Sequence, residues 1–152
     1  MPTRSWARTA SRVPEPVDWS ALIGAAAVEP HAAGIYEWRI GDRALYVGKA
    51  STLRSRLREY VNNVRKIAAG VPYRRAQPDG FRAVHHELAR AAMSAEPITV
   101  AVLETCDRGQ LLDRERYWIA RRRQEADAGG AILLNAERRP WRVPPELRSR
   151  QS

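Results

Sequence analysis

The chain has one cysteine, one phenylalanine and two lysines, and each shortage narrows what it can be. Cys106 alone can close no internal disulfide and build no cysteine-rich zinc site, so no disulfide partner is expected. His31, His85 and His86 lack the spacing of a zinc ligand set. No apolar run approaches the roughly 18 residues of a membrane span, so no membrane partner is expected. Residues 1–12 are polar and basic, without a hydrophobic signal core, and the expected location is cytoplasmic. Acidic side chains are also scarce: 17 against 26 basic ones, a net charge of +9.

Lys49 and Lys66 are the only lysines, so nearly all of the positive charge is arginine. A GC-rich genome accounts for part of that preference but not for the shortage of acids. The arginine fork matches phosphate oxygens, and a pI near 10.7 makes nucleic acid the leading partner. At 152 residues the chain suffices for one domain with a real core.

Residues 1–30 read as an N-terminal arm. It is rich in proline and arginine, carries Trp6 and Trp19, and contains a short helix at 20–28 that Pro30 ends. Residues 34–39 and 43–47 are β-rich, and Gly41-Asp42 between them signals a hairpin turn. Gly48 lets the chain bend, and Ser51 caps a helix over 52–69 that stops at Gly70. The apolar stripe of that helix is Leu53, Leu57, Tyr60, Val61 and Val64. At about 100° per residue, Arg54, Arg58 and Arg65 share one flank, whereas Arg56 lies on the other beside Tyr60.

Residues 70–80 read as a loop. There Arg74 and Arg75 beside Tyr73 suit a nucleic-acid backbone contact as well as they suit a solvated loop. A helix follows at 81–93, then a strand at 97–104. His85 and His86 point about 100° apart, which disfavours chelation of one ion. The last helix, 110–125, has the stripe Leu111, Leu112, Trp118 and Ile119, with Glu115 inside it. An inward carboxylate needs a partner, either a cation or an arginine such as Arg56. Glu115 reads as the only inward acid, so no second carboxylate is expected for a two-metal site. Ala131 to Leu134 form a short apolar run ending at Asn135, and 138–152 form a basic tail rich in proline and arginine.

Gly34-Ile35-Tyr36 followed by Tyr46-Val47-Gly48, with Arg56 eight residues beyond Gly48, resembles the GIY-YIG nuclease superfamily. The run Tyr46 to Ala50 with Arg56-Leu57-Arg58 is similar to the nuclease domain of the bacterial excision-repair incision subunit. The resemblance covers roughly residues 33–137, and a nuclease domain at 31–137 is expected. It implies an α+β fold with a small, mainly antiparallel three-stranded sheet flanked by helices. It implies a DNA endonuclease that hydrolyses phosphodiester bonds with one divalent metal ion, Mg²⁺ or Mn²⁺.

The family's residues map onto Tyr36, Tyr46, Lys49, Arg56, Glu115 and Asn135 as catalytic groups. Glu115 is the metal ligand, and Gly34 and Gly48 belong to the motif itself. Either Tyr36 or Tyr46 would take a proton from water, activated by Lys49, Arg56 and the metal. Arg54, Arg58, Arg65, Arg74 and Arg75 are expected on the DNA backbone. Family members often carry a histidine four residues past the arginine. Tyr60 stands there, so a relay from that histidine does not carry over. The competing expectation is a basic DNA-binding module on the same scaffold that no longer cuts.

Overall fold

The computed structural model describes residues 17–26, 29 and 31–135. The tail at 138–152 and most of the expected arm lie outside them. The described residues form an α+β fold: a four-stranded mixed sheet covered by helices on both faces. Strands β1 (Gly34–Ile40) and β2 (Ala44–Ala50) make the antiparallel hairpin. Strand β3 (Ile98–Thr105) pairs antiparallel with the other side of β1. A two-residue strand, β4 (Ile132–Leu133), runs parallel to β2, giving the order β3-β1-β2-β4. The expected three strands are therefore corrected to four. Two residues are too short for a period-2 pattern, and the pairing rests on Ile132 N–H to Arg43 O and Leu134 N–H to Leu45 O, both 2.8 Å.

The sheet is buried on both faces, and side-chain alternation assigns each hairpin residue to one of them. Tyr36, Trp38, Ile40, Ala44, Tyr46 and Ala50 face the larger core with α1 (Trp19–Ala26), α2 (Leu53–Ala69) and α3 (Ala83–Met93). Ile35, Leu45 and Val47 face α4 (Leu111–Gly129). All five apolar positions of the α2 stripe are buried, and Gly70 caps it in the left-handed region at φ 71°. The helix starts one residue later than expected, with Thr52 as an N-cap that makes no side-chain bond.

The short helix expected within the arm packs against the core. Trp19 and Ile23 of α1 are buried, and Trp19 meets Trp38 edge-on at 6.1 Å. Each such side chain contributes about 2–3 kcal/mol by burial, so α1 is part of the packed unit.

Gly48 has a different reason from the expected bend, for it lies inside β2 opposite Tyr36. A Cβ there would run into the Tyr36 ring and hydroxyl. Gly34 is equally constrained, because a Cβ would strike the Glu104 carbonyl on β3.

Candidate active site at the end of the hairpin

Three tyrosines meet where β1 and β2 pass under α2. The Tyr36 and Tyr60 hydroxyls share a 2.6 Å hydrogen bond, and the Tyr46 ring tilts against Tyr60 at 6.2 Å. Tyr36 and Tyr60 are 1% and 2% exposed, whereas Tyr46 is only partly buried. Burial pushes the Tyr36 phenol above its ordinary value, and neighbouring Tyr46 adds to the rise. Its bond to Tyr60 and the charges of Arg56 and Arg82 oppose it without overcoming it. Burial, then Tyr36 and Tyr46, raise Tyr60 as well. Loss of a proton from either buried phenol is thus disfavoured, which leaves Tyr46 as the accessible one.

The cation on Tyr46 is one that the sequence did not single out. Arg82, at the start of α3, donates from Nη1 to the Tyr46 hydroxyl at 3.2 Å. Arg56 reaches the same cluster from α2. With Glu59, Tyr60, Asn63, Tyr73, Arg82 and His85 it lines a hollow of about 40 Å³, enough for a water molecule. Its nearest partner is Glu59, one turn on, at 3.1 Å.

His85 is buried beside Tyr60, with ring centroids 5.0 Å apart. Its Nδ1 accepts the backbone N–H of Arg82 at 3.0 Å. Burial, then Arg82 and His86, hold its pKa down at about 4, so the ring is neutral with its proton on Nε2. That nitrogen lies 3.4 Å from the Asn63 amide, which must turn its oxygen toward the ring to accept.

The remaining expected site residues lie across the sheet. Lys49, three residues after Tyr46, points to the α4 side, where Nζ meets Glu115 Oε1 at 3.2 Å. Glu115 is largely buried, at 17% side-chain exposure, and its ion-pair partner is Lys49, not Arg56. It is not the only inward acid. Glu37 and Glu87 are buried more deeply, the first paired with Arg39 and Arg122, the second with Arg43. Glu104 is held by Arg114 and by the Trp118 indole. Leu112, expected in the inward stripe, is exposed.

Asn135 binds the backbone of β2. Its Oδ1 accepts from Val47 N–H at 2.7 Å and its Nδ2 donates to Val47 O at 2.6 Å. The amide thus continues the pairing that β4 begins at Ala44 and Leu45. Beyond Val47, no described strand pairs with the outer edge of β2. Lys49 with Glu115 lies along this open edge, and Tyr46, on the other face, lies just before it.

Among the described residues, no group of three or more histidine, cysteine or acidic side chains is gathered for a metal. A cation here would take one carboxylate, Glu115, and draw its other ligands from water and substrate. One protein ligand fits a hard, largely hydrated ion such as Mg²⁺. Lys49 would compete for the same oxygen.

The expected phosphate-binding arginines divide into two groups. Arg54, Arg58 and Arg65 line one hollow between α1 and α2. Arg74 lies in a tight turn closed by its bridge to Gln77 and stacks on Tyr73 at 5.1 Å, while Arg75 is exposed at the tip. Arg82 escaped the sequence because its partner Tyr46 lies 36 residues away, and His85, weighed there only as a chelator, has its partner Asn63 22 residues away. The residue types alone, a cation and an imidazole opening an amphipathic helix, were the available signal. Compared with family models, curated proteins and solved structures, the chain matches none.

Proposed function

We propose that the protein is a metal-dependent DNA endonuclease that hydrolyses phosphodiester bonds at the open edge of β2. The observation that carries this reading is the state of the three tyrosines. Two are buried and held protonated, whereas Tyr46 is accessible and bonded to a guanidinium. Once its own proton has left to solvent, the Tyr46 phenolate, held by the Arg82 donor, can take a proton from an attacking water. Arg56, half-buried and lining the hollow with Tyr60 and Arg82, would hold the phosphate oxygens as charge builds.

Glu115 would hold one divalent cation, which when bound supplies charge stabilisation and an acidified water. Tyr36 and Tyr60 fix the Tyr46 ring and keep water from its inner side. Lys49 holds Glu115 in place.

The inactive DNA-binding reading draws on one specific observation, the ion pair that already engages the Glu115 carboxylate. The two readings separate on supercoiled plasmid with Mg²⁺ or Mn²⁺. The nuclease reading expects nicking by the wild type and none by Glu115→Ala, with DNA affinity within about tenfold because arginine–phosphate contacts dominate binding. Nicking by Glu115→Ala at the wild-type rate overturns the site, and no nicking by the wild type overturns the nuclease.

A further inference from the structure

The hollow between α1 and α2 lies on the flank of α2 opposite Arg56. It measures about 440 Å³, and Arg54, Arg58, Arg65 and Asn62 of α2 line it against Ser20 and Gly24 of α1. Among the described residues, no carboxylate lines it. Glu59, the one acid of α2, is turned to the other flank and paired with Arg56. The cationic wall is long: from Arg54 to Arg65 the helix rises by about 16 Å, more than one phosphate can span.

The facing wall carries a second sign of a ligand. Gly24 sits inside an eight-residue helix, where glycine is unfavourable relative to alanine. Among the described residues nothing requires it, since a Cβ there would meet none of their atoms within 4 Å. Its φ is not in the left-handed region. A helix glycine with empty space beside it leaves the backbone open to close approach from outside the protein.

We infer that this groove holds the sugar–phosphate backbone of a single DNA strand that continues from the phosphate beside Arg56. The inference rests on the nuclease reading for the identity of the polymer and adds the path that the strand follows. Arg54 and Arg56 belong to the same first turn of α2, so a strand leaving one flank there enters the groove at its Arg54 end. The recess between two helices suits a flexible strand better than a rigid duplex, and Arg54 is itself half-buried in it. Three guanidiniums spaced along one wall complement a run of phosphates. With no stacking aromatic exposed in the groove, recognition is of backbone and not of sequence.

The test uses full-length protein carrying Glu115→Ala, so that nothing is cut, with a fluorescein-labelled single strand and the same sequence as duplex. Affinity is read by anisotropy across a salt series. Replacing Arg54, Arg58 and Arg65 together by Gln should reduce the single-strand salt slope by about 2 units, at roughly 0.7 per lost phosphate contact. Arg58→Gln alone, an exposed change that leaves the core intact, should reduce it by about 0.7. Gly24→Leu should weaken single-strand binding at fixed salt, and since leucine favours the helix, that loss is not unfolding. The control pair Arg116→Gln and Arg123→Gln, exposed on α4, should leave the slope alone. An unchanged slope in the triple variant, an equal loss in the control, or an effect on the duplex only overturns the inference. If the groove variants behave as expected but the wild type nicks no plasmid, the nuclease reading falls and the groove stands. If the wild type nicks and the groove variants bind normally, only the groove falls.

Discussion

Asn135→Ala separates a structural clamp from a reacting group. The side chain makes two hydrogen bonds of 2.7 and 2.6 Å to the backbone of Val47, a residue with no exposed surface. Alanine removes both partners and leaves a buried N–H and a buried C=O unsatisfied. Each such loss costs about 1–3 kcal/mol, so the pair should cost about 3 kcal/mol or somewhat more. For a domain of this size that lowers the melting temperature by about 10 °C. The Asn135→Asp variant sharpens the test. It keeps the acceptor for Val47 N–H but sets a carboxylate oxygen against Val47 O. It should be as unstable as Asn135→Ala near pH 7 and regain stability as the pH falls and the acid protonates. Thermal unfolding followed by circular dichroism across pH measures both. Well below the melting temperature, Asn135→Ala should retain most of the single-turnover cleavage rate. An unchanged melting temperature with cleavage abolished would refute the clamp and return Asn135 to the chemistry.

His85 should make stability fall in acid. Its pKa is about 4 when folded against 6.5 ordinarily, so the unfolded chain takes the proton first. Stability present above about pH 6.5 is then lost down to about pH 4, by at most about 3 kcal/mol. Urea midpoints of wild type and His85→Gln across that range should converge, and parallel curves would exclude His85 as the source. Lys49→Met removes the cation that competes for Glu115, so the half-saturating Mg²⁺ concentration should fall while the basic limb of the pH–rate profile stays in place. A displaced limb would mean that Lys49 acts on Tyr46 after all. Arg56→Lys should lose roughly 10²-fold in single-turnover rate, because a point charge cannot track two phosphate oxygens. A rate near wild type would confine Arg56 to its bond with Glu59.

What the sequence made legible is what local periodicity encodes. The five apolar positions of α2 and its Gly70 stop match the structure, because a long amphipathic helix repeats its signal several times. The hairpin was equally clear from its β-rich runs and turn. Strand β4 carries two residues and no period, so its parallel pairing could not be seen. Tyr36 and Tyr46 were found together, yet their difference in burial depends on α2 and α3 folding over them. The pairing of Lys49 with Glu115, 66 residues apart, is likewise set by tertiary placement. Glu37 was missed as an inward acid because its partner Arg122 lies 85 residues away on α4.

The alternation of β2 imposes a parity rule on how such a chain can vary. Tyr46 and Lys49 serve opposite faces because an odd number of steps separates them. Exchanging a side chain between them changes one group, but inserting or deleting one residue there moves every later side chain of the strand to the wrong face. Lengthening the turn between Gly41 and Arg43 disturbs neither face so long as Arg43 keeps Glu87 and Ile132, since β2 keeps its own phase on its far side. Engineered loop grafts therefore belong at that turn. A one-residue deletion at Val47 or Gly48 should be more damaging than any single substitution in the strand.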